Sequence, residues 1–138
     1  METMNHECYV SLEVAKLLKE AGFDWEEHYP RNFCYVNDNT ELFDKSVLKN
    51  YIGDDDVIYL APTLDIAQRW LREVKDIDVY IFPTTNNKRG CVYEWGIKTF
   101  GRALWVEGQP YTNQYETYEE AQEAGIRKTL EMILEKRG

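Results

Sequence analysis

Three stretches of the chain carry apolar residues at helical spacing, and alternating stretches fill much of what lies between them. The first runs from Leu12 to Ala21. Leu12, Val14, Ala15, Leu17, Leu18 and Ala21 give it a broad apolar face, with Lys16, Lys19 and Glu20 outside it. Ser11 supplies an N-cap oxygen and Gly22 a left-handed terminator. The second runs from Leu64 to about Lys75, capped by Thr63. Leu64, Ala67, Leu71 and Val74 share one side, which Ile66 and Trp70 widen. Asp65 lies in its first turn and Arg72 and Lys75 toward its end, as the helix dipole prefers. The third runs from Tyr118 to about Lys136, opened by a capping box of Thr117 and Glu120. Tyr118, Ala121, Gly125, Thr129, Met132 and Ile133 share its apolar face, with Ile126 at the edge. A glycine inside a helix costs about 1 kcal/mol against alanine. Close approach of Gly125 to a sheet is the expected compensation.

Strand signals lie between these helices. Asn32 to Val36 and Glu41 to Phe43 flank Asn37-Asp38-Asn39-Thr40, which reads as a small hairpin. Lys45 to Asp56 reads as loop. Val57 to Leu60 is a short strand, and Pro62 holds the residue before it extended. Asp78 to Phe82 alternates as a strand that Pro83 ends. Cys91 to Phe100 and Ala103 to Val106 follow, joined by Gly101-Arg102, and the three read as an antiparallel meander. The expected fold is α+β: an antiparallel sheet, made of a three-stranded meander plus a small hairpin, with about three amphipathic helices packed on it. At 138 residues this is one domain, 1–138, with residues 1–8 expected to be disordered.

Composition narrows the partners. Formal net charge is −9, so a phosphate backbone or an anionic membrane surface is repelled. No apolar stretch approaches a membrane span, and no basic start precedes an apolar run. Cys8, Cys34 and Cys91 are odd in number and widely spaced, unlike a disulfide framework. The cytoplasm is the expected location. Ten tyrosines and four tryptophans predict an aromatic core with some rings left for contacts.

Residues 11–24, 60–74 and 117–130 together resemble a family of small uncharacterised proteins from genomes and prophage-like regions of gut Bacteroidetes. The marks are A-P-T-x-x-x-A-Q-x-W-L-R-E, from Ala61 to Glu73, and Y-E-E-A, from Tyr118 to Ala121. The resemblance implies a phage or mobile-element setting. It brings no activity, cofactor or catalytic residue with it.

Candidate chemistry is thin. His6, Cys8, His28 and Cys34 have the atoms for zinc but match no common spacing. Asp54, Asp55 and Asp56 are consecutive and point different ways, so a solvated turn suits them better than a cation site. A Cys–His nucleophile pair has no local support, and no phosphate-cradling loop or nucleophile elbow appears. The order helix, three strands, helix from Leu64 onward resembles a double-stranded RNA-binding domain. However, the last helix opens with Glu116, Glu119, Glu120 and Glu123, where phosphate contacts would need bases. Ser11 to Phe23 resembles the first helix of a helix-turn-helix, but no recognition helix follows.

No catalytic, cofactor or metal residue is therefore assigned, and no cofactor is expected. The leading reading is a non-enzymatic accessory or protein-interaction module with a protein partner. Arg69, Trp70 and Arg72 on one helix, and Trp105, Tyr111 and Tyr115 in a Tyr-rich loop, are the candidate interface residues. The alternatives are an acidic mimic of DNA and an enzyme whose site is assembled only in three dimensions.

Overall fold

The computed structural model describes residues 8–25, 32–48, 50–86, 88, 90–99, 105–107 and 114–137. Its element order is α1 (Leu12–Ala21), β1 (Phe33–Val36), β2 (Phe43–Asp44), α2 (Lys45–Leu48), β3 (Ile58–Leu60), α3 (Leu64–Val74), β4 (Ile77–Asn86), β5 (Gly90–Thr99), β6 (Trp105–Glu107) and α4 (Tyr118–Arg137). This is the α+β class. The strands form two antiparallel sheets, in the orders β2-β1-β3 and β4-β5-β6. The short strand β3 thus joins the hairpin rather than the meander. A single helical turn, α2, occupies the start of the segment expected to be loop.

Each main helix starts where a side-chain oxygen can take an orphan N–H. Ser11 Oγ accepts from Val14 N at 3.3 Å, and Thr63 Oγ1 accepts from Ile66 N at 3.2 Å. At α4 the box closes in both directions: Glu120 N donates to Thr117 Oγ1 at 3.1 Å and Thr117 N to Glu120 Oε1 at 3.2 Å. α1 ends on Gly22 at φ 96°, and Phe23 N donates back to Leu18 O at 2.9 Å. That pair of features stops the helix and folds Phe23 edge-on against Trp70, 5.4 Å between ring centroids.

The core lies where α1, α3 and α4 meet the strands. Val14, Ala15 and Leu18 of α1, Leu64, Ala67, Trp70 and Leu71 of α3, and Ile126 and Leu130 of α4 are buried together with Tyr35 and Val79. Two helix faces differ from expectation. Val74 is nearly half exposed, in the last position of α3. On α4 the buried stripe runs through Ala121, Gln122, Gly125, Ile126, Thr129 and Leu130, and Tyr118 stays exposed.

α4 lies against β4 and β5. Gly125 is where it touches: a Cβ there would stand 2.7 Å from Val79 Cγ1 and 3.1 Å from Trp95 Cβ. Val79 and Trp95 stand on the same face of adjacent strands, in the register Val79↔Ile97 and Ile81↔Trp95. The far face carries Tyr80 and Phe82, whose rings stack at 5.9 Å. Tyr80 lies over Gly96, its cross-strand partner.

β4 does not stop at Pro83 but runs on to Asn86. The reason is its position. Tyr93 exchanges both backbone hydrogen bonds with Tyr115 at 2.8 Å, on the side away from β4. Its β4 partner Pro83 therefore points its ring nitrogen outward, on a terminal strand that asks no donor of it.

The N-terminal expectation also changes at Cys8. Cys8 O accepts from Leu64 N, and Val10 N donates to Pro62 O at 3.0 Å. The chain from Cys8 on is thus laid beside the start of α3, and Tyr35 Oη donates to Val10 O at 2.6 Å to hold it. Residues 1–7 lie outside the described residues.

Gly125→Ala should destabilise the fold. Alanine gains about 1 kcal/mol of helix propensity, but overpacking against Val79 and Trp95 costs about 1–3 kcal/mol. A lower urea midpoint with unchanged slope is expected; a raised midpoint would show that α4 can shift to accommodate the methyl.

Candidate functional site

The starts of α3 and α4 converge. Between them opens a cleft of about 500 Å³, lined by Cys8, Thr63, Leu64, Asp65, Ile66, Tyr118, Glu119 and Gln122. Its volume falls within the range of small-molecule and side-chain pockets. Three local features build it. Thr63 and Thr117 begin the two helices, the β3–α3 connection places Thr63 beside Cys8, and Gln122 draws the helices together.

Gln122 is only 2 % exposed. A buried amide must find partners or lose about 1–3 kcal/mol. Its Nε2 donates to Asp65 Oδ1 and to Gln68 Oε1, each at 2.7 Å. Gln68 Nε2 in turn donates to Val79 O. A polar relay therefore runs from the floor of the cleft, through α3, to the outer edge of the meander.

The cleft is electronegative. Desolvation, followed by Glu119, Asp65 and Glu123, pushes the Cys8 thiol above its ordinary value. Desolvation, followed by Asp65 and Glu119, does the same for the Tyr118 phenol. Both groups stay protonated near neutrality, so Cys8 is a poor nucleophile. What the walls favour is positive charge. Tyr118 adds an aromatic surface, 40 % exposed and edge-on to Tyr93 at 6.0 Å.

The residues singled out in the sequence fall elsewhere. Trp70 is 1 % exposed, in the core, and offers nothing to a partner. Its apolar neighbours on α1 and α3 explain that placement better than an interface does. Arg69 and Arg72 are on the exposed side of α3; Arg69 pairs with Glu73 at 2.7 Å and lies over the Trp25 ring. Trp105 is in β6, opposite Lys98. Tyr115 is half-buried and bridged to Tyr93. The helix that carries Arg69 and Arg72 packs on β4, while the backbone of Trp105 and Tyr115 pairs with β5 on its other side. Tyr111 lies outside the described residues, as do His6 and His28.

Of the four atoms considered for zinc, Cys34 is fully buried on β1 and Cys8 is at the cleft. Among the described residues no three His, Cys, Asp or Glu side chains gather as a metal site. The aspartate run forms a turn instead. Asp56 accepts from Asn37 Nδ2 at 3.0 Å and Gly53 N at 2.9 Å, which holds its carboxyl below the usual range. No helix among the described residues is long and apolar enough to cross a membrane.

The cleft was missed because its signals are ambiguous in one dimension. Asp65 reads as a helix-dipole partner, which it also is, and Glu119 reads as one of the acids that repel phosphate. A polar Gln122 on the buried stripe of α4 was the one usable sign. No protein-family model, curated protein or solved structure matches the chain.

Alkylation of Cys8 should report the local field. In a Cys91→Ser background, its reaction with iodoacetamide should titrate above the ordinary thiol midpoint of about 8.5. Asp65→Asn keeps the acceptor for Gln122 but removes a charge, so the midpoint should fall and the rate at pH 7.5 should rise, by about two- to threefold. An unmoved profile would show that Asp65 does not act on the thiol.

Proposed function

We propose that the protein is a non-enzymatic accessory module whose acid-walled cleft holds a basic segment of a partner protein. The observation that carries this reading is the pairing of shape and field. A cleft of about 500 Å³ is walled by Asp65 and Glu119, whose charges, after desolvation, add to the raised proton affinity of the thiol beside them. A lysine or arginine side chain entering there gains charge-assisted hydrogen bonds and a phenol ring to lie against. The same acids repel nucleic acid and anionic lipid.

A phage or mobile-element role, in the cytoplasm, is part of the proposal. It draws on the Ala61–Glu73 and Tyr118–Ala121 segments and on three unbridged cysteines, which suit a reducing compartment. The DNA-mimic alternative is weaker. Acids at Asp38, Glu13, Glu73 and Glu123 are each tied to a Lys or Arg, which breaks up a phosphate-like row.

Titration with a fluorescent arginine- and lysine-rich peptide tests the cleft. Asp65→Asn with Glu119→Gln should weaken binding about tenfold, or about 1.4 kcal/mol. Asp54→Asn with Asp55→Asn removes the same charge from an exposed turn and should leave affinity within about twofold. Equal losses in both double variants would reduce the effect to net charge and sink the cleft.

A further inference from the structure

We infer that the cleft is a guanidinium site, so that the side chain it takes from a basic segment is an arginine and not a lysine. The inference rests on the reading of the cleft as a receptor for a basic segment, and it names the cation that the walls select.

Gln122 carries it. Its Nε2 is committed to Asp65 Oδ1 and Gln68 Oε1, each at 2.7 Å. A carboxylate only accepts, so the amide cannot be turned the other way round. Its Oε1 takes no hydrogen bond among the described residues. Nor is that oxygen sealed in: the buried side-chain atoms without a partner among the described residues are Trp70 Nε1, Trp95 Nε1 and Arg127 Nε. Gln122 is almost wholly buried and lines the cleft, so the carbonyl's access is to that space. A buried acceptor left open in this way asks for a donor from outside the chain.

The rest of the wall has the same character. Asp65 gives Oδ1 to Gln122 and keeps Oδ2, and the Glu119 carboxylate is unpaired among the described residues. Backbone donors at the two helix starts are already spent. Leu64 N donates to Cys8 O, Ile66 N to Thr63 Oγ1, Thr117 N to Glu120 Oε1 and Glu120 N to Thr117 Oγ1. No lysine or arginine lines the cleft. A ligand must therefore bring N–H donors and positive charge in more than one direction.

A guanidinium has five donors in a rigid plane and no acceptor, whereas an ammonium is a compact, strongly hydrated point charge. One edge of the plane can meet a carboxylate while another meets the Gln122 carbonyl, and its flat face suits the exposed part of the Tyr118 ring. An ammonium turned to Asp65 or Glu119 leaves the Gln122 carbonyl unmet.

Fluorescent capped hexapeptides of arginine and of lysine carry equal charge and separate the possibilities. The wild type should bind the arginine peptide at least about tenfold more tightly than the lysine peptide. Gln122→Met, which removes the carbonyl, and Asp65→Asn with Glu119→Gln should each narrow that preference to about twofold. Asp54→Asn with Asp55→Asn, on the exposed turn, should leave it in place. If Gln122→Met fails to fold, NMR titration of the wild type decides. Methylguanidinium should shift the backbone amides of Asp65, Glu119 and Gln122, and methylammonium at the same concentration should shift them less. Equal affinity for the two peptides overturns the guanidinium assignment and leaves a basic-segment cleft standing. So does a preference that survives in the folded cleft variants, or equal shifts with the two small cations. If neither peptide binds, the basic-segment reading falls and the assignment falls with it.

Discussion

The contact between Gly125 and the meander is the constraint from which most of the architecture follows. α4 is the longest helix and the element that α1, α3, β4 and β5 all touch. Its distance from the sheet is set by a missing side chain, with Val79 and Trp95 filling the space a methyl would need. Tight packing of this kind carries more dispersion and apolar burial per residue than a helix held off by larger side chains. It offsets the propensity lost at Gly125. It also fixes the height of α4, and with it the height at which Gln122 meets Asp65 and Gln68. The cleft and the edge relay are consequences of how closely one helix lies.

What could be read from the chain was what depends on neighbours in sequence. Ser11, Thr63 and the Thr117–Glu120 box are local devices, and so is Gly22, so helix starts and the first stop were legible. Gly125 was legible because a helix-breaking residue inside a good helix demands a tertiary reason. The failures share a different physics. Pro83 stops a strand only where a donor is needed, and whether one is needed depends on which strand lies beside it. Trp70 carries both readings in sequence, an interface anchor by type and part of the apolar side of α3 by spacing, and the fold around α1 and α3 decides for the core. The division into two sheets depends on β3 pairing with β1. That pairing crosses more than twenty residues of intervening chain, far beyond the reach of a local pattern.

The electrostatics carry a similar double meaning. Asp65 and Glu119 sit in first turns, where the helix dipole stabilises a carboxylate. Each helix alone would be content with that. Because two starts face one cleft, the same carboxylates act together inside it, and their repulsion adds to desolvation in raising the thiol of Cys8 and the phenol of Tyr118. A surplus of acid that looks like simple solubility in the composition becomes, at this one place, a directed field. Elsewhere the acids are dispersed into pairs such as Lys16–Asp38 and Arg127–Glu13, which exposed solvent leaves weak.

The cleft and the sheet edge are joined by three hydrogen bonds, from Asp65 through Gln122 and Gln68 to Val79 O. Each member of that relay is satisfied by the next, so none can lose its hydrogen-bonding group without leaving a neighbour short of a partner. Gln122 is the centre of that relay: its amide reaches across to α3, where Asp65 and Gln68 both accept from it, and its burial on the stripe of α4 makes sense only with those two partners in place.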